Sequence, residues 1–169
     1  MARDAAENGR ELAGRLTGRE HVLPVRVYYE DTDAGGVVYH ANYLRFCERA
    51  RTDFLRLLNI RHGRLADERG RRLFFVVRRM ECDFLRPAVL DDVLEVRTRL
   101  VRASRVRLEA VQEVRRRPEI TDGSSPQTGP IFTARVTVAV IDDSGRPARL
   151  PAAAMDVLRP LLPAEEEGD

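Results

Sequence analysis

Apolar and polar residues alternate over five separate segments of the chain, and this pattern is typical of strands that bury one face. The first segment runs from Val25 to Glu30, with Val25, Val27 and Tyr29 on its apolar side. A polar segment at 115–130 interrupts the later strands, and its composition predicts a loop. The four later strands are predicted at 74–84, 94–100, 106–114 and 132–140.

One segment repeats its apolar residues every three or four positions instead. Asn42, a residue type favoured at the N-cap, precedes it, and the apolar positions continue to Leu58 with Arg, Glu and Asp between them. The spacing predicts one amphipathic helix of about 17 residues, roughly 25 Å long. No second helix of this length is predicted.

The order of these elements predicts an α+β fold. Hairpin-connected alternating strands favour an antiparallel sheet with one covered face, and the long helix is the only predicted element able to cover it. An antiparallel sheet wrapped around one long central helix is the hotdog fold. We place the domain at 21–155, with flexible tails at 1–20 and 156–169. The outer face and the edges remain for a second subunit, so we expect a homodimer or a homotetramer.

Composition narrows the classes of partner. The chain has 169 residues, which suits one domain, and its 29 basic residues are all arginine, against 27 acidic residues. The two signs alternate along the chain, whereas proteins that bind nucleic acids concentrate positive charge on one face, so no nucleic-acid partner is expected. No apolar run has the length of a membrane span, and the first residues lack the apolar region of a signal peptide. We therefore expect a cytoplasmic protein without an integral membrane segment.

The two cysteines, Cys47 and Cys82, form no C-x-x-C pair and no Cys/His cluster. This spacing favours neither a zinc site nor a redox motif. Each cysteine is flanked by apolar residues, so we expect both to pack as small buried hydrophobic residues.

The junction between the first strand and the helix carries the candidate chemistry. Asp31, Asp33 and His40 surround it, Tyr29 and Tyr39 lie beside it, and two glycines permit a tight turn. The first N–H groups of a helix have no partner within the helix and can hold an oxyanion. A carboxylate just upstream could attack a carbonyl bound there or deprotonate a water molecule. These are the two parts that acyl transfer needs.

Two runs in this region carry a family resemblance: D-T-D-A-G-G-V-V-Y-H-A-N-Y at 31–43 and E-R-A-R-T at 48–52. They resemble the hotdog-fold acyl-CoA thioesterases related to 4-hydroxybenzoyl-CoA thioesterase, most closely the Tol–Pal-associated YbgC type. The resemblance extends from Pro24 to about Arg102, through F-V-V-R-R-M and P-A-x-L-D-D-x-L-E-V, and is weaker beyond.

The resemblance implies hydrolysis of acyl-CoA thioesters, with acyl carrier protein thioesters as further substrates and with no metal and no cofactor. It makes Asp33 the catalytic carboxylate, acting either as nucleophile or as general base, and it implicates His40 and Tyr29 in activity. The N–H of His40 would polarise the thioester carbonyl. The implied substrate-binding residues are Val38 and Tyr39 beside the helix start, and the CoA-phosphate turn with Arg102, Ser104 and Arg105.

Structural explanations remain open for these residues. Asp33 could only cap its turn, a role that we assign to Asp31, and His40 could be a packing residue. Tyr29 could belong to the core of its strand, and the arginines of the 102–105 turn could be solvated surface residues. Among the remaining polar side chains, we expect Glu48 to pair with Arg51 or Arg45, while the family resemblance leaves a role in the site open for it. We expect His21 and His62 to face solvent.

Two other functions are compatible with this fold class. A hotdog dehydratase or hydratase moves a proton on the acyl chain with a histidine and a carboxylate, but such enzymes lack the run that contains Asp33. A non-enzymatic acyl-CoA-binding or scaffold domain would not need an intact Asp33. Both alternatives therefore explain the junction less well than thioester hydrolysis does.

Overall fold

The computed structural model describes residues 14–117 and 129–164. Within these ranges the chain forms six strands, two α-helices and two short 3-10 turns. The strands are β1 (Arg15–Thr17), β2 (Glu20–Arg26), β3 (Leu73–Phe84), β4 (Val93–Ala103), β5 (Arg107–Arg116) and β6 (Phe132–Asp142). The helices are α1 (His40–Leu57) and α2 (Ala152–Leu158), and the 3-10 turns are Tyr29–Asp31 and Arg159–Leu161.

The six strands form one antiparallel sheet in the order β1-β2-β4-β5-β6-β3. Helix α1 packs across one face of this sheet, over β2 and β4. The predicted α+β architecture, an antiparallel sheet against one long helix, is confirmed. The start of α1 lies at the end of the sheet where β2 finishes and β4 begins, since Arg26 pairs with Val93. We call this end the helix-start end and the opposite end, where β4 runs into β5, the far end.

One stripe of α1 faces the sheet and is almost fully buried. It contains Tyr43, Phe46, Cys47, Ala50, Phe54 and Leu55. All but Leu55 are predicted apolar positions, whereas the last two predicted positions, Leu57 and Leu58, are exposed and half-buried. Side chains of this kind contribute roughly 1.5–3 kcal/mol each when they are fully removed from water. The packing of this stripe therefore fixes the helix, and with it the position of its first turn.

Both cysteines pack as predicted against this core, Cys47 without any exposure and Cys82 half-buried. Desolvation raises the pKa of the Cys47 thiol to about 12. The thiol is therefore protonated at neutral pH and cannot act as a nucleophile there, because the thiolate is the reactive form.

The first long strand, β2, lies closer to the N-terminus than the strand predicted at 25–30. Strand β2 ends at Arg26, and Tyr29 lies in a 3-10 turn with 82% of its surface exposed, so the prediction that Tyr29 packs on the apolar face of a strand was wrong. The cause is Asp31, whose carboxylate accepts the N–H of Tyr28 at 2.9 Å and whose own N–H donates to the Tyr28 carbonyl at 3.0 Å. Local hydrogen bonds of this type compete with a strand ladder.

Helix α1 begins at His40, two residues before the predicted N-cap Asn42. Asn42 lies inside the first turn, where its side-chain amide donates to the Asp31 carbonyl at 2.9 Å. The residue type was a correct sign of a helix start, but its side chain bonds backward to the preceding loop instead of capping the helix.

A bulge in β3 reverses the predicted alternation of its side chains. The register against β6 shifts between Val77 and Arg79, which adds one residue and changes which face each side chain occupies. Before the bulge, Leu73 is fully buried and Phe75 packs partly against the core. The prediction of one continuous apolar side was therefore wrong for the first two of its five members, which were Phe74, Val76, Met80, Cys82 and Phe84.

Ordered elements also occupy described parts of the predicted tails. Strand β1 lies within the segment predicted as the N-terminal tail, and its three side chains are exposed, so no apolar alternation marks it. Helix α2 and the second 3-10 turn cross the predicted boundary at 156, and Leu158 there is fully buried. Residues 118–128 of the predicted loop at 115–130 lie outside the described residues, and β5 continues to Arg116 before them.

His21 is fully buried under α1, so the prediction that it faces solvent was wrong. Its Nε2 lies 2.8 Å from an Asp53 carboxylate oxygen, which also accepts the N–H of Gly14 at 2.7 Å. The other ring nitrogen, Nδ1, is buried and has no hydrogen-bond partner among the described residues. His62 is exposed, and its ring meets Phe75 edge-on at 5.6 Å.

The buried imidazole of His21 makes the folded state less stable as the pH falls. Burial lowers the pKa of His21 below its usual value of 6.5, against the opposing effect of Asp53. The unfolded chain then binds this proton more readily, so the contribution of His21 is present above about pH 6.5 and is lost as the pH falls. In urea titrations, we expect the free energy of unfolding to fall more steeply from about pH 7.5 to 5.5 in the wild type than in His21→Leu. Equal slopes for the two proteins would contradict this assignment.

Candidate active site

The loop between β2 and α1 folds into a tight hairpin. Thr32 bridges to Val38, the N–H of Asp33 donates to the Val37 carbonyl at 2.9 Å, and the N–H of Gly36 donates to the Asp33 carbonyl at 3.0 Å. Gly36 has a φ of 75°, a conformation that costs other residues steric strain. The hairpin thus places Asp33 opposite Val37, and Val37 lies three residues before the first residue of the helix.

Asp31 ties this hairpin to the first turn of α1. Its carbonyl accepts the N–H of Tyr39 at 2.9 Å and the Asn42 side-chain amide at 2.9 Å. Its carboxylate, with only 6% of the residue exposed, holds the N–H of Tyr28. The predicted structural role of Asp31 is confirmed, and it fixes the loop relative to the helix start.

The carboxylate of Asp33 is exposed, and its two oxygens have different surroundings. Oδ1 accepts the N–H of Gly35 at 2.8 Å, whereas no hydrogen bond in the described parts of the chain engages Oδ2. A Cβ atom at position 35 would stand 3.1 Å from Oδ1, so the glycine permits this close approach. The turn-capping contact therefore exists, and it orients the carboxylate while leaving one oxygen available.

The start of α1 offers unpaired backbone donors. Tyr39 occupies the N-cap position without a side-chain cap, and the first turn contains no acidic residue. Within residues 14–117 and 129–164, the N–H groups of His40 and Ala41 have no protein acceptor. They also carry the partial positive charge of an 18-residue helix. This arrangement can accept a carbonyl oxygen on which negative charge develops.

A second loop, residues 87–92, holds the hairpin from the other side. The N–H of Val38 donates to the Ala88 carbonyl at 2.8 Å, and the Ala88 N–H donates to the Tyr43 hydroxyl at 3.1 Å. Buried Asp92 accepts the Val89 N–H at 2.9 Å. The sequence reasoning did not identify these residues as part of the site, although P-A-x-L-D-D lies in the run that carries the family resemblance.

Aromatic side chains surround His40 at the start of α1, and we call this region the entrance to the candidate site. The His40 ring lies 4.4 Å from the Tyr39 ring and 6.2 Å from the Phe84 ring, measured between centroids. Phe84 is 52% exposed, and it also contacts Tyr43 in the core. No hydrogen bond joins the His40 ring to Asp33 within the described residues. Phe84 was missed as a site residue, because its position at the end of β3 gave no sign of the contact with His40.

The predicted CoA-phosphate turn lies at the far end of the sheet, away from Asp33. It follows β4, whose first residue lies at the helix-start end, and the 11 residues of this strand span roughly 33 Å. Ser104 is exposed and its hydroxyl accepts the Arg107 N–H at 3.1 Å, while the Arg105 guanidinium donates to the Leu150 carbonyl at 2.9 Å. Arg102 is exposed. A single chain therefore brings together Tyr29, Asp33, Val38, Tyr39 and His40, but not Arg102, Ser104 and Arg105.

An apolar pocket of about 140 Å³ lies on the part of the sheet that α1 does not cover. We call it the concave pocket. Its walls come from α1 and from the inner face of β3, β4, β5 and β6, and include Arg51, Leu55, Phe75, Leu100, Ala110 and Val138. It is the candidate site for an acyl group.

The described residues show neither a group of metal-binding side chains nor a membrane-spanning helix. No three His, Cys, Asp or Glu residues within 14–117 and 129–164 are grouped closely enough to hold a metal ion. Over the same residues, none of the helices combines the length and the apolar character that crossing a bilayer would require.

Comparison with solved structures defines the class of the fold. A probable thioesterase from Bartonella henselae is 41% identical, with a TM-score of 0.67, and the match covers 78% of this chain and 99% of that chain. The 1,4-dihydroxy-2-naphthoyl-CoA thioesterase Slr0204 from Synechocystis has a TM-score of 0.69 at 21% identity, covering 83% of this chain and 96% of that chain, and shows the fold alone. The fold is the hotdog fold of thioesterases, as predicted.

The family follows from the sequence. The model of the thioesterase superfamily matches residues 35–121, just over half of the chain. The chain belongs to this superfamily, and the resemblance to the YbgC branch is confirmed. The acyl-CoA thioesterase YbgC of Haemophilus influenzae is 58% identical over 76 residues, covering 45% of this chain and 54% of that protein. The Helicobacter pylori YbgC is 47% identical over 89 residues, covering 53% and 62%. The chain thus spans little more than half the length of these relatives.

Proposed function

We propose that the protein hydrolyses acyl-CoA thioesters to the free acid and CoA, with Asp33 as the catalytic carboxylate. The observation that carries the proposal is the position of Asp33, which has one unpaired oxygen and lies on a hairpin bonded to the uncapped start of α1. The curated relatives named above are acyl-CoA thioesterases, which supports the same reaction. Neither observation depends on a metal or a cofactor.

The geometry supplies the two parts of an acyl transfer. The thioester carbonyl oxygen would accept the N–H of His40, which stabilises the negative charge that develops when the carbonyl carbon is attacked. Asp33 would either attack this carbon, forming an anhydride that water then hydrolyses, or remove a proton from an attacking water molecule. In both routes the C–S bond breaks and the CoA thiolate takes up a proton. The free Oδ2 of Asp33 suits either role.

The other predicted residues surround this centre. Val38 is 4% exposed and fixes the hairpin to the second loop, whereas Tyr39 is 45% exposed and Tyr29 is 82% exposed, so both tyrosines are accessible to a substrate. The His40 side chain lies among aromatic rings at the entrance. We propose that Val38 and Tyr39 contact the substrate near the thioester, and that His40 and Tyr29 orient the substrate or water.

A second copy of the chain completes the site in this proposal. Among the described strands, β3 ends the sheet with a free edge of 12 residues, on which Val77 is 51% exposed and Phe84 52% exposed. If two β3 edges pair antiparallel about a two-fold axis, the helix-start end of one protomer meets the far end of the other. Arg102, Ser104 and Arg105 of one protomer would then serve the Asp33 of the other, where arginine suits the CoA phosphates. We propose a homodimer as the smallest active form, with a homotetramer as the larger alternative.

Two further proposals concern the acyl carrier of the substrate and the compartment in which the protein acts. Acyl carrier protein thioesters present the same carbonyl on the same pantetheine arm, so they are proposed as alternative substrates. We place the protein in the cytoplasm, where acyl-CoA is available, and assign it to lipid metabolism. A hotdog dehydratase remains the competing enzyme class, and an acyl-CoA-binding domain the competing non-enzymatic class.

The direct test is thiol release by the purified full chain over a panel of short, long and aromatic acyl-CoAs. We expect release of CoA with at least one member of the panel, at a rate proportional to the protein concentration. Hydration of crotonyl-CoA without thiol release would replace hydrolysis by the dehydratase reaction. Binding of acyl-CoA without any turnover would favour the non-enzymatic class.

A further inference from the structure

The concave pocket contains a cation without a counter-ion. Arg51 lies half-buried on α1 at the wall of this pocket, whose other walls are mainly apolar. The ion pairs of residues 14–117 and 129–164 include none from Arg51. Only its Nη1 donates to a residue in the described parts of the chain, so its other donors remain available to a ligand. The pocket therefore combines apolar walls with one positively charged group that can bind an acceptor.

The Arg51 guanidinium is held in place by a fully buried glutamine. Its Nη1 donates to Gln112 Oε1 at 2.7 Å. The Gln112 amide nitrogen donates in turn to the Cys47 carbonyl at 2.9 Å and to the Thr98 hydroxyl at 3.0 Å. These two bonds fix the orientation of the amide, so its oxygen faces Arg51. The guanidinium is thus positioned by a rigid buried network.

An acidic side chain of the same helix, Glu48, lines the same pocket but does not pair with Arg51. Glu48 was predicted to pair with Arg51 or Arg45, and neither pairing is present, because its carboxylate accepts the Thr52 hydroxyl at 2.6 Å on the exposed side. Burial lowers the pKa of Arg51, and the charge of Glu48 opposes this lowering. Arginine stays protonated in proteins, so Arg51 carries its charge and its free donors at the wall of the pocket.

The pocket is close to the reacting centre in the proposed dimer. Antiparallel pairing of two β3 edges brings the Phe84 end of one strand to the Leu73 end of the other. Phe75 and His62, which line the concave pocket of one protomer, then lie beside the entrance formed by His40 and Phe84 of the other. An acyl group attached at one helix start would enter the pocket of the opposite protomer.

From these observations we infer that Arg51 determines substrate specificity by binding a carboxylate at the distal end of a short acyl group. The inference rests on the proposed thioesterase function and names its substrate class. The pocket volume of about 140 Å³ is close to that of a cavity that takes up benzene, so it suits an acyl group of about six heavy atoms. A guanidinium binds a carboxylate with two parallel hydrogen bonds, which are stronger than neutral ones.

The test compares glutaryl-CoA, which ends in a carboxylate, with hexanoyl-CoA, which ends in a methyl group. We expect the ratio of kcat/KM for glutaryl-CoA to that for hexanoyl-CoA to fall at least about tenfold in Arg51→Met. Hydrolysis of hexanoyl-CoA should persist, because it does not use the guanidinium. Arg51→Lys keeps the charge without the planar fork, so we expect an intermediate ratio. The matched control is Arg49→Met, which removes an exposed arginine from the same helix and should leave the ratio unchanged.

The outcomes separate this inference from the proposed function. A wild type that hydrolyses hexanoyl-CoA, with the same ratio in Arg51→Met and in Arg51→Lys, would overturn the inference and leave the thioesterase function intact. A wild type that hydrolyses no acyl-CoA would overturn both. If Arg51 instead governs only a preference for 4-hydroxybenzoyl-CoA over benzoyl-CoA, the assignment to a carboxylate is wrong. If Arg51→Met does not fold, the ratio in Arg51→Lys decides alone.

Discussion

We expect the Asp33→Asn substitution to lower kcat for the preferred acyl-CoA by at least about a hundredfold, because in the proposed mechanism it removes the carboxylate that attacks the thioester or deprotonates water. The asparagine oxygen can still accept the N–H of Gly35, as Oδ1 of Asp33 does at 2.8 Å. We therefore expect the hairpin and the thermal stability to remain unchanged. Thiol release and thermal unfolding, measured on the same preparation, check both parts. Asp33→Ala should show the same loss of turnover.

The matched control is Glu30→Gln, which neutralises another exposed carboxylate three residues earlier in the same segment. Its turnover should equal that of the wild type. Unaltered thiol release by Asp33→Asn and Asp33→Ala, over a panel on which the wild type is active, would remove Asp33 from the mechanism. An equal loss in Glu30→Gln would indicate a general effect of charge near the site.

A charge on the free edge of β3 should abolish both assembly and activity. Val77 is 51% exposed in the single chain, where an aspartate would cost little. In the proposed dimer the same carboxylate is buried without a partner, which costs several kcal/mol. We expect sedimentation to show the mass of a monomer for Val77→Asp. Its kcat/KM should fall at least about a hundredfold, since each site loses the arginine turn and the pocket of the other protomer. Val77 also lines the concave pocket, so the measured mass, and not the activity alone, tests the interface.

Val157→Asp provides the control for this substitution. Val157 lies on α2, away from β3, and is 40% exposed, so the two variants add the same charge at similarly exposed positions. The control should keep the wild-type mass and activity. A Val77→Asp protein that remains dimeric and fully active would show that this edge is not the interface.

The sequence predicted the elements whose side chains repeat with a clear period. The stripe on α1 that contains Phe46, Ala50 and Phe54 follows the helical repeat, and the alternation in β4 and β6 matches buried and exposed positions. Antiparallel order and a single covering helix follow from these periods. The candidate site was predicted at the junction of the first strand and the helix because Asp33 and His40 lie close together in the chain.

Features that depend on a local contact or on a distant part of the chain were not predictable in this way. The turn at Tyr29 arises from one side-chain bond of Asp31, and β1 forms by pairing alone, without an apolar face. The burial of His21 depends on Asp53, 32 residues away. The separation of Arg105 from Asp33 follows from the direction of β4, which motif matching does not contain.

The bulge at the middle of β3 also determines what can attach to this edge of the sheet. A free edge of 12 residues is a template for aggregation, because any extended chain can add to its unpaired backbone groups. The extra residue after Val77 breaks the backbone spacing, so a straight foreign strand can stay in step with only one half of the edge. The arginine and acidic side chains around the bulge further disfavour the addition of an apolar foreign strand to this edge. A strand with the same irregularity at its own midpoint fits better, so in the proposed dimer the bulge would disfavour fibre-like growth and still admit the β3 edge of a second copy.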